Sequence, residues 1–146
     1  MRISKPFITL SAAAMILGSC GSGVQVTDTE NGAVIHFADN SATRITFCSP
    51  NTARCTKWAS GQAEPISLVA RGPAFDVEVC KYETNDCVTL KTSAMIVVAN
   101  KKSGIVRFLK KDSTEYFSEC GHSLSPIDIK GDKGFSINQK LKIKDN

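Results

Sequence analysis

The sequence predicts an all-β protein, an antiparallel β-sandwich. Short segments rich in β-branched and aromatic residues follow one another at regular spacing, with turn residues between them. No apolar stripe of helical period occurs after the first twenty residues. The predicted strands span residues 24–27, 33–37, 43–48, 53–58, 66–70, 75–79, 88–90, 94–99, 105–109, 115–117, 135–137 and 141–143.

Turn residues justify the first half of this series. Asn31-Gly32 is a strong hairpin signal between the first two strands. Ser49-Pro50-Asn51 separates the third strand from the fourth, and Arg71-Gly72-Pro73 follows the fifth. Residues 75–79 alternate apolar and polar side chains, which is typical of a strand with one buried face.

The second half combines one very apolar strand with a broken tail. Residues 94–99 form a continuous apolar run, which suits a strand buried on both faces. The loop 100–104 ends in Gly104, where we expect a positive φ. In the tail, Gly121, Pro126, Gly131 and Gly134 interrupt the pattern, so only two short strands are predicted there.

The N-terminal residues have the pattern of a lipoprotein signal peptide. Arg2 and Lys5 precede an apolar stretch, residues 7–17, that is too short to span a bilayer. Residues 17–20, Leu-Gly-Ser-Cys, resemble a bacterial lipobox, which predicts lipid attachment at Cys20. We therefore expect a signal peptide over 1–19, lipidated Cys20 with a flexible tether over 20–23, and the β-sandwich over 24–146.

This anchor predicts a location in the bacterial cell envelope. Gly21, rather than Asp, follows the lipidated cysteine, and by resemblance to Gram-negative sorting this favours the outer membrane, facing the periplasm. The alternative is an ordinary signal peptide with an incidental cysteine. Without residues 1–19 the chain has 146 − 19 = 127 residues and a net charge of 16 − 14 = +2. That length gives one domain and excludes a (β/α)₈ barrel, and the low charge argues against a nucleic-acid partner.

Five further cysteines lie in a compartment that permits disulfides. Cys48 and Cys55 have the same spacing as Cys80 and Cys87, and we take both as candidate disulfide pairs, with Cys120 left over. The spacings do not suit zinc, and His36 and His122 belong to neither pair, so no metal and no cofactor are expected.

No catalytic motif is present. Asp76 and Glu78 lie two residues apart, as glycosidase carboxylates could, but their alternation with apolar residues predicts the solvent face of a sheet. Trp58, the single tryptophan, is a candidate contact for a sugar ring or for a neighbouring domain. A Cys120–His122 nucleophile is supported by proximity alone. We assign no catalytic residue.

The order of several short motifs resembles the N-terminal domain of glycoside hydrolase family 31, the α-glucosidases and α-xylosidases. Two motifs of that domain have counterparts within residues 24–146. The first is the pattern I-x-F-x-S-P-x-x-x-R, and the second is a later hairpin that begins L-K-T and continues with a glycine, a phenylalanine and a glutamate. The matching residues are Ile45, Phe47, Ser49, Pro50, Arg54, Leu90, Lys91, Thr92, Gly104, Phe108 and Glu119.

The resemblance implies a galactose mutarotase-like β-sandwich without the catalytic barrel that holds the family's two catalytic aspartates. It implies a non-catalytic, lipid-anchored protein that binds an α-linked oligosaccharide or supports a glycosidase catalytic domain. Both an independent protein and a truncated enzyme fit it. An apolar packing face near Trp58 would then cause self-association. The alternatives are a periplasmic lipoprotein that binds or inhibits a protein partner, and a hydrolase that uses Asp76 and Glu78.

Overall fold

The computed structural model describes residues 23–66 and 76–143, and within these residues it contains ten strands and no helix. We number the strands in chain order. They are β1 (Gln25–Thr29), β2 (Gly32–His36), β3 (Ala42–Ser49), β4 (Thr52–Trp58), β5 (Cys80–Glu83), β6 (Cys87–Lys91), β7 (Met95–Asn100), β8 (Val106–Lys110), β9 (Glu115–Ile129) and β10 (Asp132–Ile143).

The strands form two antiparallel sheets. The first has the order β1-β2-β3-β4 and the second has the order β10-β9-β8-β7-β6-β5. All strand neighbours are also consecutive in the chain, so each sheet is a meander of hairpins. The predicted all-β sandwich is therefore confirmed.

A hydrophobic core lies between the sheets. Alternate residues of β3 point inward, and Ile45 and Phe47 are completely buried there. They pack in one cluster with Leu90, Val97 and other residues of the second sheet. The rings of Phe108 and Phe117 stack with their centroids 4.5 Å apart. Burial of these apolar side chains is the main favourable contribution to folding.

The strand β7 is buried on both faces, as its apolar run predicts. Val97 and Ala99 belong to the core cluster, while Ile96 pairs with Leu109 on the opposite face of the sheet. Both residues of that pair are less than a tenth exposed. Gly104, in the loop that follows, has the expected positive φ of 66°.

The Asn31-Gly32 signal marks a real hairpin, but the glycine has another role than a left-handed turn. Thr29 pairs with Gly32, so Glu30 and Asn31 form the turn and Gly32 begins β2. A Cβ atom on Gly32 would lie 1.9 Å from the backbone oxygen of Ile45. The side chain of any other residue would push β2 and β3 apart.

Two of the predicted strands lie partly outside the described residues. Residues 67–70 and Phe75, from the strands predicted at 66–70 and 75–79, lie outside the described residues. Residues 76–79 keep the alternating burial, with Val77 buried and Asp76 and Glu78 exposed, but they form no strand, and β5 begins at Cys80. The alternation of apolar and polar residues thus predicted correctly which side chains are buried, but it did not predict whether the backbone pairs with a sheet.

The prediction of a broken tail was wrong. In its place, β9 and β10 form one long hairpin, which pairs from Ile129–Asp132 at the turn to Phe117–Ile143. The ladder between β8 and β9 extends no further than Ser118, so beyond it β9 pairs only with β10. Pro126 therefore lies where β9 has a single neighbouring strand, and prolines within sheets are found at such positions.

The register makes this hairpin amphipathic. Residues opposite each other in an antiparallel pair share a face, and Phe117 shows that one face continues the sandwich interior. We call that side the apolar hairpin face: it carries Leu124, Pro126, Phe135, Ile137, Leu141 and Ile143, interspersed with the polar pairs Gln139–His122 and Lys133–Asp128. The opposite side carries Ser123, Ser125, Ser136, Asn138, Lys140 and Lys142, and near the turn it also carries Ile127 and Ile129. Ile137, Leu141 and Ile143 are each more than half exposed. Most of the exposed large hydrophobic residues among the described residues thus lie on this hairpin, whereas the sequence predicted an exposed apolar face near Trp58.

Gly32→Ala should lower the free energy of unfolding by about 2 kcal/mol or more, because the new methyl group meets backbone rather than a movable side chain. Urea unfolding measures this loss. Gly121→Ala is the matched control, since its Cβ would have no heavy atom within 4 Å, and it should change stability little. Equal losses in the two variants would contradict the close approach of β2 and β3.

Candidate functional site

A cleft of about 440 Å³ opens at one end of the sandwich. Its size falls within the range of small-molecule sites. The turn between β2 and β3, the end of β4, the loop before β8 and the middle of β9 form its walls. Its lining residues are Val24, Phe37, Ala38, Asp39, Ser41, Ala42, Thr43, Lys57, Trp58, Lys101, Lys102, Ser103, Gly104, His122 and Leu124.

Lys57 reaches this cleft from inside the sandwich. Along β4, Ala53 and Cys55 pack against the core, and Lys57 is next in the same alternation. Its side chain is only 10% exposed. The ammonium lies 2.7 Å from the carbonyl oxygen of Gly104, 2.7 Å from Glu119 Oε2 and 3.2 Å from His122 Nδ1. All three of its N–H donors therefore have acceptors within the protein.

Glu119 completes the ion pair from β9 of the second sheet. Its side chain is 1% exposed. Oε2 accepts hydrogen bonds from Lys57 and, at 2.8 Å, from the backbone N–H of Val106. Oε1 accepts one from the amide of Gln139. A buried carboxylate needs such complete pairing to offset its loss of hydration, and this one ties both sheets together.

Lys57 also decides the tautomer of His122. An ammonium can only donate, so Nδ1 of His122 accepts and the neutral ring carries its proton on Nε2. Burial lowers the pKa of His122, and the Lys57 cation lowers it further, while Glu119 acts in the opposite direction. The ring therefore remains neutral near pH 7 and offers an N–H donor at the cleft.

Trp58 and Asp39 supply the other features of the cleft. Trp58, the last residue of β4, is half-buried and lines it. The Asp39 carboxylate accepts hydrogen bonds from the Ser41 hydroxyl (2.6 Å) and backbone N–H (2.9 Å), which lower the pKa of that carboxyl. An aromatic ring, an ionised carboxylate and a neutral imidazole thus line one concave surface.

Two lysines of the neighbouring loop add positive charge at the rim of the cleft. Lys101 donates to Glu83 Oε1 and to the backbone carbonyl of Thr84. Lys102 pairs with Asp86 at 2.9 Å, and both of these side chains are mostly exposed. Ion pairing thus offsets much of this charge, and the rim is polar rather than strongly cationic.

The cysteines are separate in the structure, and neither candidate disulfide is formed. In the β3–β4 ladder Cys55 faces Ile45, while Cys48 falls at a register shift. In the β5–β6 ladder Cys80 faces Lys91, so Cys80 and Cys87 do not lie opposite each other. Cys120 is a bulge residue, skipped between the Leu141–Glu119 and Lys140–Gly121 pairs.

Burial raises the pKa of the Cys55 thiol to about 11; the nearby Glu119 also raises it, whereas Lys57 lowers it. This thiol is therefore protonated near pH 7 and unsuited to act as a nucleophile. Among the described residues, no group of three or more His, Cys, Asp and Glu side chains could hold a metal ion. No helix in the same part of the chain could cross a membrane.

A second groove, of about 450 Å³, contains the two carboxylates considered from the sequence. Asp76 and Glu78 line it together with Cys80, Tyr82, Lys91 and Lys111. Both carboxylates belong to exposed residues, as their alternation predicted. At the wall of this groove Thr92 Oγ1 donates to the carbonyl oxygen of Pro50 at 2.5 Å. That bond joins the β6–β7 turn of one sheet to the β3–β4 turn of the other.

The residues that carried the family resemblance account for packing. Ile45, Phe47 and Leu90 are completely buried in the core. Pro50 and Thr92 form the contact between turns, and Glu119 forms the buried ion pair. The sequence did not reveal the partnership of Lys57 with Glu119. The available signal was that Lys57 is in phase with inward Ala53 and Cys55, a position where an isolated lysine is unfavourable.

The fold and the cleft define a two-sheet β-sandwich with a cleft lined by Trp58 at one end. Among solved structures, the chain is similar to the crystal structure of a glycoside hydrolase family 31 α-xylosidase from Xanthomonas citri, with a TM-score of 0.62 and 20% sequence identity. The match covers 86% of this chain and 13% of that enzyme. The resemblance to a domain of this family is thus confirmed at the level of the fold. No protein-family model and no curated protein sequence matches the chain.

Lys57→Met should lower the free energy of unfolding by about 3–5 kcal/mol, because Glu119 then keeps a buried charge without its counterion. Urea unfolding tests this. Replacing both partners, as Lys57→Met with Glu119→Leu, should restore part of the loss. The matched control is Lys102→Met, which removes an exposed pair and should have little effect. A Lys57 variant as stable as the control would contradict the proposed role of the buried pair.

Proposed function

We propose that this protein is a non-catalytic, lipid-anchored β-sandwich that binds carbohydrate in the bacterial cell envelope. The observation that carries the proposal is the position of Trp58 in a concave cleft of a fold shared with part of an α-xylosidase. Its ligand would be an α-linked oligosaccharide.

The chemistry of the cleft supports a sugar. The apolar face of a pyranose ring packs well on an indole ring. Sugar hydroxyl groups both donate and accept hydrogen bonds, and the cleft offers an acceptor in Asp39 and a donor in the Nε2–H of His122. A neutral imidazole suits an uncharged ligand better than an imidazolium would, since it carries no charge to desolvate.

The same fold likeness supports a second mode of action within this proposal. The matched portion is a small part of a much longer enzyme chain. The sandwich could therefore assist a separate glycosidase catalytic domain in carbohydrate metabolism, with the cleft contributing to a shared sugar site. Binding by the chain alone distinguishes a sufficient cleft from one that needs the catalytic domain.

The sugar proposal predicts a saturable change in Trp58 fluorescence when maltose-type oligosaccharides are titrated into the full chain. Trp58 is the only tryptophan, so the signal reports on this cleft alone. Trp58→Ala should weaken binding about tenfold or more, measured by calorimetry, because the stacking surface is lost.

Tyr82→Ala is the matched control for that titration. Tyr82 is an exposed aromatic residue that lines the other groove, and its removal should leave affinity unchanged. Equal loss in both variants would place binding elsewhere. No heat and no fluorescence change up to millimolar sugar, together with co-purification of a protein, would favour the alternative of a lipoprotein that binds or inhibits a protein partner.

The proposed anchor is Cys20, modified with lipid after removal of residues 1–19. Several acyl chains on one residue hold a protein on a bilayer far better than one chain does. In bacterial cells the wild-type chain should sediment with the outer membrane, and Cys20→Ala should not carry lipid. Cys80→Ala, which changes another exposed cysteine, should sediment normally. Equal labelling of both variants with a radioactive fatty acid would refute the anchor.

A further inference from the structure

The strand β10 is the longest sheet edge among the described residues. It is the outermost strand of the six-stranded sheet and spans twelve residues. The other edge strands, β1, β4 and β5, have five, seven and four residues. An edge of this length exposes a row of backbone donors and acceptors that can pair with another strand.

The charges of β10 are ordered along its polar face. Asp132 begins the strand, while Lys140 and Lys142 lie near its end. All three lie on the side opposite to the apolar hairpin face. A copy of this strand that runs in the opposite direction therefore brings acid to base at both ends. A parallel copy would place each lysine against its own equivalent.

We propose that two copies of the chain associate by antiparallel pairing of β10 with β10, around a two-fold axis at Ser136. In this register Phe135 faces Ile137 of the partner subunit, and Asp132 faces Lys140 of the partner subunit. Each contact occurs twice, as two-fold symmetry requires. Pairs of an aromatic with a β-branched residue, and of opposite charges, stabilise antiparallel ladders.

This register also avoids unfavourable contacts over residues 132–140. Lys133 faces Gln139 of the partner subunit, and Gly134 faces Asn138 of the partner subunit, so no like charges meet within these residues. Beyond them, Lys142 comes opposite Lys130 of the partner subunit, which lies in the hairpin turn rather than on a strand. A shift by two residues toward the C-terminus would place Lys133 against Leu141 of the partner subunit and Phe135 against Gln139 of the partner subunit. The shifted register would keep one opposite-charge pair, Asp132 with Lys142 of the partner subunit, but it would lose the pair of Phe135 with Ile137 of the partner subunit. The side chains therefore favour the register centred on Ser136. The two hairpins would then form one continuous sheet, with their apolar faces on the same side.

Charge exchange tests the pairing on the full chain in mild detergent, by analytical ultracentrifugation. Asp132→Lys alone and Lys140→Asp alone should each weaken dimerisation about tenfold, because each variant brings like charges together twice. The double variant should recover the wild-type affinity. Circular dichroism establishes that each variant is folded. A monomeric wild-type chain, or single variants that dimerise as well as the wild type, would overturn the proposal.

A cysteine placed on the proposed axis gives an independent readout. Ser136→Cys should yield a disulfide-linked dimer under mild oxidation, beyond that of the wild-type chain, because residue 136 faces its own equivalent. Ser125→Cys is the matched control: Ser125 pairs with Ser136 and shares its exposed face, but it lies one strand inward. Equal cross-linking of the two variants would also reject this pairing. Neither experiment depends on sugar binding.

Discussion

The buried ion pair of Lys57 and Glu119 is the constraint on which the two-sheet arrangement depends. Hydrophobic burial holds sheets together without fixing how one lies over the other, whereas two buried charges are tolerated only in contact. Lys57 lies on β4, the edge of the first sheet, and Glu119 lies on β9 of the second. At the other end of β4, the bond from Thr92 to the Pro50 carbonyl joins the sheets again. The core between these two polar contacts therefore has a defined register.

The cleft is a consequence of that ion pair. Because Lys57 donates to the Gly104 carbonyl, it holds the loop that forms one wall. Gly104 allows this approach: its φ is positive, and a Cβ atom there would press on the rings of His122 and Phe37 at 3.2 and 3.3 Å. Because Lys57 also donates to His122, it orients the imidazole N–H. Lys57 itself has no donor left for a ligand, so its contribution to binding is positional, and recognition falls to Trp58, Asp39 and His122.

Sequence periodicity predicted the parts of this structure that depend on local burial. Strands such as β3 and β7 follow from alternation or from a continuous apolar run, which depend only on each strand's own neighbours. The long β9–β10 hairpin was missed because Gly131 marks its turn rather than the end of the sheet, and because Pro126 lies where β9 has only one neighbouring strand. The Lys57–Glu119 pair joins residues 62 positions apart, and neither candidate cysteine pair lies directly opposite in its ladder. These features depend on which residues of different strands lie opposite each other, and the periodicity of a single strand carries no information about that.

The residues behind the family resemblance bear on fold more than on function. Buried Ile45 and Phe47, together with the Pro50–Thr92 contact, would be needed by any protein that stacks these two sheets, whatever it binds. Sequence similarity at those positions therefore indicates a shared fold. The features that could separate this chain from a domain enclosed in a large enzyme lie elsewhere, at the open cleft with its single tryptophan and along the edge of β10. An enclosed domain can leave such an edge to be covered by its neighbours, whereas a protein that works alone must pair it, shield it with charge or tolerate association. The ordered charges of β10 leave antiparallel self-pairing favourable while opposing parallel stacking, so they permit one defined association and disfavour an open-ended one.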